Sequence, residues 1–428
     1  MNTAQTLVIG AGQAGLSLSR YLTRAGHDHV TLERGRVGER WRSERWSSLS
    51  LLSPNWLNNL PGSPAHADRD GFLGRTAFVD YLERYARSFA APIVEEVEVL
   101  SVDRAWSGFR VETDRGVWQA RNLVVATGDA QLPSIPGLSA GVPAGLQQIH
   151  SSGYWVPEGL APGGVLVVGA GPSGQQLALE LRQAGRDVVL AVGNHTRVPR
   201  RYRGRDIWHW LGVLGELDRT IDEVADEDAS RRAPSLPLSG ANGGEHIDLG
   251  VLNDAGVTIA GRLTGFQGSD ALFADDLDWT VSEAQRRMRR LVGRIDSYLE
   301  ETELAERTPV TPVPTLALPA APRTIDLNAS GVSTVLWATG YRRSYSWLHV
   351  PEAFDAEGEI RHTRGVTPVP GLYALGLRFQ HKRKSHFIGG VGEDARFLAG
   401  CIVSGACPYI PRRHRGQARP AATAAASA

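Results

Sequence analysis

Thr6-Leu7-Val8-Ile9-Gly10-Ala11-Gly12-Gln13-Ala14-Gly15 is the stretch that decides the fold. A short apolar run enters a GxGxxG turn. A helical stretch follows from about Leu16 to Ala25, and a second strand, Val30-Thr31-Leu32, ends in Glu33. Strand, glycine turn, helix, strand and acid, in that order, make a dinucleotide-binding βαβ unit. Gly10 permits the tight turn, Gly12 lets the backbone approach a pyrophosphate, and Gly15 lets helix and strand pack closely. The helix start, carrying Gln13 and Ala14, offers unpaired N–H groups and a positive dipole end to the phosphates. Glu33, placed 23 residues after Gly10, can accept hydrogen bonds from a ribose diol.

The pattern recurs. Val165-Leu166-Val167-Val168 leads into Gly169-Ala170-Gly171-Pro172-Ser173-Gly174. A helical stretch runs from Leu177 to Ala184, and a strand from Val188 to Val192. The acid position, 23 residues after Gly169, holds Val192. Gly193 and Asn194 come next, then Arg197, Arg200, Arg201, Arg203 and Arg205. An acid suits a free ribose 2′-OH, whereas arginine suits a 2′-phosphate. The second site is therefore expected to take NADPH, with Arg197, Arg200 or Arg201 on the phosphate; a solvated arginine-rich loop is the alternative.

Between the two units, Val97–Val102, Phe109–Thr113 and Val117–Val125 read as an inserted β-meander. Its last strand ends in Ala126-Thr127-Gly128, and Val335-Leu336-Trp337 ends in a second such triplet, Ala338-Thr339-Gly340. Such paired triplets mark places where the chain crosses between domains. Thr280 to Glu283 forms a capping box ahead of a helix, and five prolines between Pro309 and Pro322 make an extended link. The expected fold class is α/β, with two Rossmann-like dinucleotide-binding domains. A discontinuous FAD domain spans 1–161 and 331–405, an NADP domain spans 162–330, and a disordered tail spans 406–428.

Composition narrows the function. The 428 residues are 42% hydrophobic and 21% charged, with Lys plus Arg equal to Asp plus Glu at 46 each. A globally basic nucleic-acid binder is excluded. No apolar run is long enough for a membrane span, and no secretory signal is evident, so a cytoplasmic enzyme is expected. Two cysteines exclude a disulfide scaffold and a Cys-rich zinc module, and no metal site is expected. Two glycine fingerprints most simply hold FAD and a nicotinamide nucleotide. Disulfide reductases then need a redox-active cysteine pair beside the flavin, but Cys401 and Cys407 form no CxxC pair and lie near the C-terminus. O2 is left as the electron acceptor.

The chain resembles the class B flavoprotein monooxygenases, a group of flavin-containing monooxygenases, N-hydroxylases and Baeyer–Villiger enzymes. Both glycine fingerprints, Gly38-x-x-Trp41, the two Ala-Thr-Gly triplets, Leu336 to Tyr341, Gly371-Leu372-Tyr373 and Gly392-Glu393-Asp394-Ala395 carry the resemblance. It implies further cofactor contacts at Arg34, Arg40, Trp41, Val99, Thr127, Gly128, Ser173, Ala338, Thr339, Gly340, Gly392 and Glu393. The identifying motif of these proteins, FxGxxxHxxxY, is half present. His150 and Tyr154 match, but Ala144 and Leu146 stand where Phe and Gly belong. The resemblance gives His150 and Tyr154 a role in hinge and cofactor placement, and sets Asn55 near the reacting oxygen. It further implies reduction of FAD by NADPH, a C4a-(hydro)peroxyflavin, and transfer of one oxygen to a nitrogen or sulfur of a small-molecule substrate. Baeyer–Villiger oxygenation of a ketone and an oxidase or reductase without oxygen insertion are the alternatives within enzymes. A degenerate nucleotide-binding regulator is the alternative outside them, and homodimerisation stays open. Trp208-His209-Trp210 reads as a channel lining or as core. The basic run from Arg378 to Lys384 reads as a cofactor contact or as a solvated loop.

Overall fold

The computed structural model describes residues 1–407 and Tyr409. The opening stretch folds as β1 (Asn2–Ile9), α1 (Gln13–Arg24) and β2 (His29–Leu32). Leu7, Val8 and Ile9 are all buried, which marks a parallel strand covered on both faces. A short helix α2 (Glu39–Ser43) and the helix α3 (Arg75–Arg87) precede β3 (Ile93–Val94). Next come β4 (Val99–Ala105), β5 (Gly108–Thr113) and β6 (Gly116–Val125). β3, β2, β1 and β6 lie side by side in parallel. β6 then serves two neighbours on its other edge. Its first half pairs antiparallel with β5, and its last residues, Leu123–Val125, pair in parallel with the strand Leu372–Ala374.

After the short β7 (Leu132–Pro133) come β8 (Gln147–His150), β9 (Gly164–Val168), α4 (Pro172–Gln183) and β10 (Val188–Ala191). The second sheet runs Thr258–Ala260, β10, β9, Val332–Trp337, β8, every pair parallel. The expected domain boundaries after 161 and 330 do not coincide with the division between the sheets. β8 and Val332–Trp337 both belong to the second sheet, because each buries apolar residues against β9 and its neighbours. The chain crosses between sheets at β7 and returns at Tyr341–Arg342, and these two crossings pair as an antiparallel ribbon.

The segment after β10 builds an apolar cluster of its own. Trp208 and Trp210, on the helix Ile207–Val213, are buried with Ile295 and Leu299 of the long helix Leu277–Glu301. That settles the tryptophan pair as core. The long helix starts three residues before the expected capping box, with Asp276 as its N-cap residue. On the first sheet, α1 packs against the last helix, Val391–Ser404, through residues such as Leu18, Leu22 and Leu398. Cys401 is bonded to Cys407, closing the far end of that helix, about 15 Å along the axis from its first turn. The tail expected to be disordered, 406–428, falls outside the described residues apart from Ala406, Cys407 and Tyr409.

Candidate functional site

A cleft of about 980 Å³ opens over the C-terminal ends of β1 and β2. Gly10, Gly12, Gln13 and Ala14 line it from the first turn, and Glu33 and Arg34 from the end of β2. Arg40 and Trp41 line it from α2, Val99 from β4, and Thr127 and Gly128 from the end of β6. Crevices at strand C-termini are where open α/β sheets bind ligands. The Glu33 carboxylate accepts the Ala11 N–H at 2.7 Å and the Gly35 N–H at 3.1 Å. An ionised carboxylate has about four acceptor positions, so half remain for a sugar diol. Arg40 donates to Glu44 at 2.9 Å and to the carbonyls of Ala130 and Gln131, tying α2 to the start of the crossing. Trp41 stands edge-on to Phe78, with ring centroids 4.7 Å apart.

The glycines test whether this shape fits a dinucleotide. A Cβ on Gly10 would sit 2.7 Å from the Ala126 carbonyl oxygen, and one on Gly15 only 1.9 Å from the Gly10 oxygen. A Cβ on Gly12 would meet nothing within 4 Å. Protein thus fills the space beside the first and third glycines, while the middle one faces open room for a close-approaching group. In the second turn, Gly169 would meet the Ala338 oxygen at 2.7 Å and Gly174 the Gly169 oxygen at 1.7 Å, and Gly171 again meets nothing within 4 Å. Each Ala-Thr-Gly triplet floors one cradle. Ala338 does this for the second, while Thr339 donates to the Ser134 carbonyl at 2.6 Å and so ties the triplet to the crossing. Ser173 lies in the first turn of α4.

Two of the arginines expected on a 2′-phosphate lie elsewhere. Arg197 is only 6% exposed; its Nε is 2.8 Å from Asp248, and its Nη1 donates to Gln285 and to the Pro314 carbonyl. Arg200 is 2% exposed, pairs with Asp206 at 2.7 Å, donates to the Leu52 carbonyl and lies over the Phe72 ring. Both are interior struts, because the chain turns inward to bury Val198 in the tryptophan cluster. Arg201 is exposed and donates to the Gly243 carbonyl at 3.0 Å. Counting along the sequence could not show that inward turn.

The three residues expected to be catalytic do not line the cleft. His150, at the end of β8, places Nε2 2.9 Å from the Gly340 carbonyl, while its Nδ1 accepts the Ser152 N–H at 3.1 Å. That pattern requires the neutral tautomer with the proton on Nε2, and burial pushes its pKa down in agreement. Its ring stands edge-on to Tyr341 of the crossing ribbon. The Tyr154 hydroxyl donates to Glu180 of α4 at 2.8 Å, and Ser48 donates to the other Glu180 oxygen. Both residues therefore brace the junction between sheets. Asn55 lies away from the cleft: its amide donates to the Asp68 carbonyl and accepts the Leu73 N–H, so it pins a loop.

Gly392 and Glu393 open the last helix, and their surroundings are protein. A Cβ on Gly392 would meet Pro61, and the Glu393 carboxylate is held by Lys382 and Lys384, which also pair with Asp218. The basic run is thus a clamp between the tryptophan-bearing segment and the last helix. Beyond it, His386 reaches the cleft together with Gly376. Desolvation pushes its pKa down to about 3, helped by Arg378 and Arg383, so the ring is neutral at physiological pH. No sequence signal singled it out except its place beside the basic run.

A family model for pyridine nucleotide-disulphide oxidoreductases matches residues 7–205. A Geobacillus kaustophilus protein described as an uncharacterized oxidoreductase, CzcO-like, is 32% identical over 404 residues, covering 93% of this chain and 98% of its own. The rice indole-3-pyruvate monooxygenase YUCCA4 is 32% identical over 233 residues, 48% of this chain and 53% of its own. Among solved structures, a flavin-containing monooxygenase from Stenotrophomonas maltophilia shares the fold with a TM-score of 0.63 at 20% identity, over 95% of this chain and 100% of that one. The chain belongs to the same family as these CzcO-like oxidoreductases, and its fold is that of flavin-containing monooxygenases.

Proposed function

We propose that this protein is a cytoplasmic, NADPH-preferring monooxygenase that transfers one atom of O2 to a nitrogen or sulfur of a small organic substrate. The observation that carries the reading is the pair of matching cradles, each with an open middle glycine, one of them facing the large cleft. The cleft volume sits at the upper end of the range for cofactor pockets. Gly12 and the first turn of α1 would take the FAD pyrophosphate, and Glu33 the adenosine ribose. Gly171 and the first turn of α4 would take the NADPH pyrophosphate. FAD, when bound, supplies the electron-transfer and oxygen-activating chemistry.

The chain's own residues position the cofactors and exclude water. His386 presents a neutral imidazole to the cleft, so it adds a hydrogen-bonding group without adding charge. His150, bonded to the Gly340 carbonyl, and Tyr154, bonded to Glu180, would steady the region between the cradles when both nucleotides are bound. We assign the first-sheet residues of 1–161 and 331–405 to the FAD domain, and 162–330 with β8 and Val332–Trp337 to the NADP domain. No helix among the described residues is long and apolar enough to cross a membrane.

The test is an anaerobic titration of the yellow protein with NADPH, followed by ¹⁸O2 and a panel of amines and thioethers. The reading expects bleaching by NADPH and one ¹⁸O atom in the product. Quantitative conversion of O2 to hydrogen peroxide with every substrate offered would contradict it.

A further inference from the structure

Strand register aligns the two cradles residue by residue. In the first, Ile9 pairs with Leu32 and Leu32 with Val94. In the second, Val168 pairs with Ala191 and Ala191 with Ala260. One residue beyond the strand end, Glu33 corresponds to Val192. Two residues beyond the neighbouring strand, Glu96 corresponds to Arg262, so the charge is inverted. Glu96 lines the first cleft.

Arg262 is placed to act on what lies over the end of β10. Its Nη2 donates to the Asn194 side chain at 3.2 Å, and its guanidinium carbon lies 3.9 Å from where a Cβ on Gly193 would stand. Its Nε is 3.5 Å from Asp276, and Nη1 has no protein partner among the described residues. The side chain is 52% exposed, in contrast to buried Arg197 and Arg200. In βαβ dinucleotide sites the adenosine ribose lies at the end of the second strand, where an acid reads the 2′-OH or an arginine the 2′-phosphate. Here that strand end is Val192-Gly193-Asn194, with Arg262 alongside.

We propose that Arg262, oriented by Asn194, receives the 2′-phosphate of NADPH and sets the choice of nicotinamide cofactor. The proposal rests on the second cradle being the NADPH site. Val192 removes the acid that would repel a phosphate, and Arg262 supplies a fork of donors suited to one. In the first cradle, Glu33 and Glu96 set two carboxylates where a phosphorylated ribose would fall. The same inversion would keep NADPH out of the FAD site.

Calorimetric titration of the FAD-loaded protein with 2′,5′-ADP and with 5′-AMP isolates the phosphate. The unaltered protein should bind 2′,5′-ADP at least about 10-fold more tightly. Arg262→Ala should weaken 2′,5′-ADP by about 10- to 100-fold and leave 5′-AMP within about twofold, since a charge-assisted contact has that worth. Arg262→Lys should recover part of the loss, and Arg201→Ala should change neither ligand. Unaltered 2′,5′-ADP binding in Arg262→Ala would overturn the assignment, as would an equal loss of both ligands or a loss confined to Arg201→Ala. If the unaltered protein binds the two ligands equally, the NADPH reading of the cradle fails first, and the assignment with it.

Discussion

The two cradles share their glycines and differ in their charges. In both, the first and third glycines are fixed by backbone oxygens less than 3 Å from a would-be Cβ, and the middle one stands open. Around the ribose end, the first presents Glu33 and Glu96, and the second Val192 and Arg262. On the proposed reading, the shared part accounts for dinucleotide binding and the differing part for which dinucleotide binds where. The surroundings differ too. His386 lines the cleft of the first cradle, whereas the segment after β10 builds the tryptophan-bearing cluster.

Gly15→Val and Gly174→Val should break both cradles alike, and most severely. Their Cβ atoms would lie 1.9 and 1.7 Å from a carbonyl oxygen, so strand and helix must separate. A loss of more than about 3 kcal/mol, seen as insoluble protein or a large fall in Tm, is expected for each. A Tm within about 2 °C of the parent protein in either variant would show that the third glycine is not a packing device there.

A smaller effect is confined to the helix that packs on α1 beside the first cradle. Asp394, in the opening turn of the last helix, is buried, and desolvation raises its pKa to about 6 despite the Ser385 hydroxyl and Arg364. A helix N-terminus favours the anion by about 0.3–1 kcal/mol, too little to offset this burial. The folded state therefore holds a proton that the unfolded chain releases near pH 4. The contribution to stability is complete below about pH 4 and is lost as the pH rises to about 6. Asp394→Asn should raise stability at pH 7.5 by about 1–3 kcal/mol and flatten that slope. Urea unfolding at pH 4.5 and 7.5 measures both, and an unchanged slope would reject the buried-acid account.

The smallest effect falls on the junction between cradles. Tyr154→Phe removes the bond to Glu180 and should cost about 1 kcal/mol of stability. If hydride transfer from NADPH slows as well, the junction also sets the distance between cofactors. A change of rate without any change of stability would contradict the bracing role.

Much of this architecture could be read before the structure. Both βαβ units, their strand ends and both triplets fall where glycine spacing and apolar runs put them, because backbone geometry at a glycine turn is a local matter. The ribose contacts were harder. Arg197 and Arg200 have the right spacing but are drawn inward by Asp248 and Asp206, partners 51 and 6 residues away. Arg262 is 70 residues beyond Val192 and comes alongside only through the pairing of β10 with Thr258–Ala260. The setting of Asn55 was hidden for the same reason: its partners at Asp68 and Leu73 leave no trace in the local pattern. The pairing of β8 with Val332–Trp337 was not legible either, because parallel pairing joins segments far apart in the chain.

The assignment of FAD to one cradle and NADPH to the other is tested most directly by the two middle glycines. Neither Gly12→Ala nor Gly171→Ala meets protein within 4 Å, so both variants should fold. The measurement is the ratio of FAD to protein after purification, together with the rate of anaerobic bleaching by NADPH. Gly12→Ala should retain FAD at least about 10-fold more weakly, a change of about 1.4 kcal/mol, and emerge nearly colourless. Gly171→Ala should stay yellow and be reduced more slowly. A yellow Gly12→Ala and a colourless Gly171→Ala would mean that the two sites are reversed.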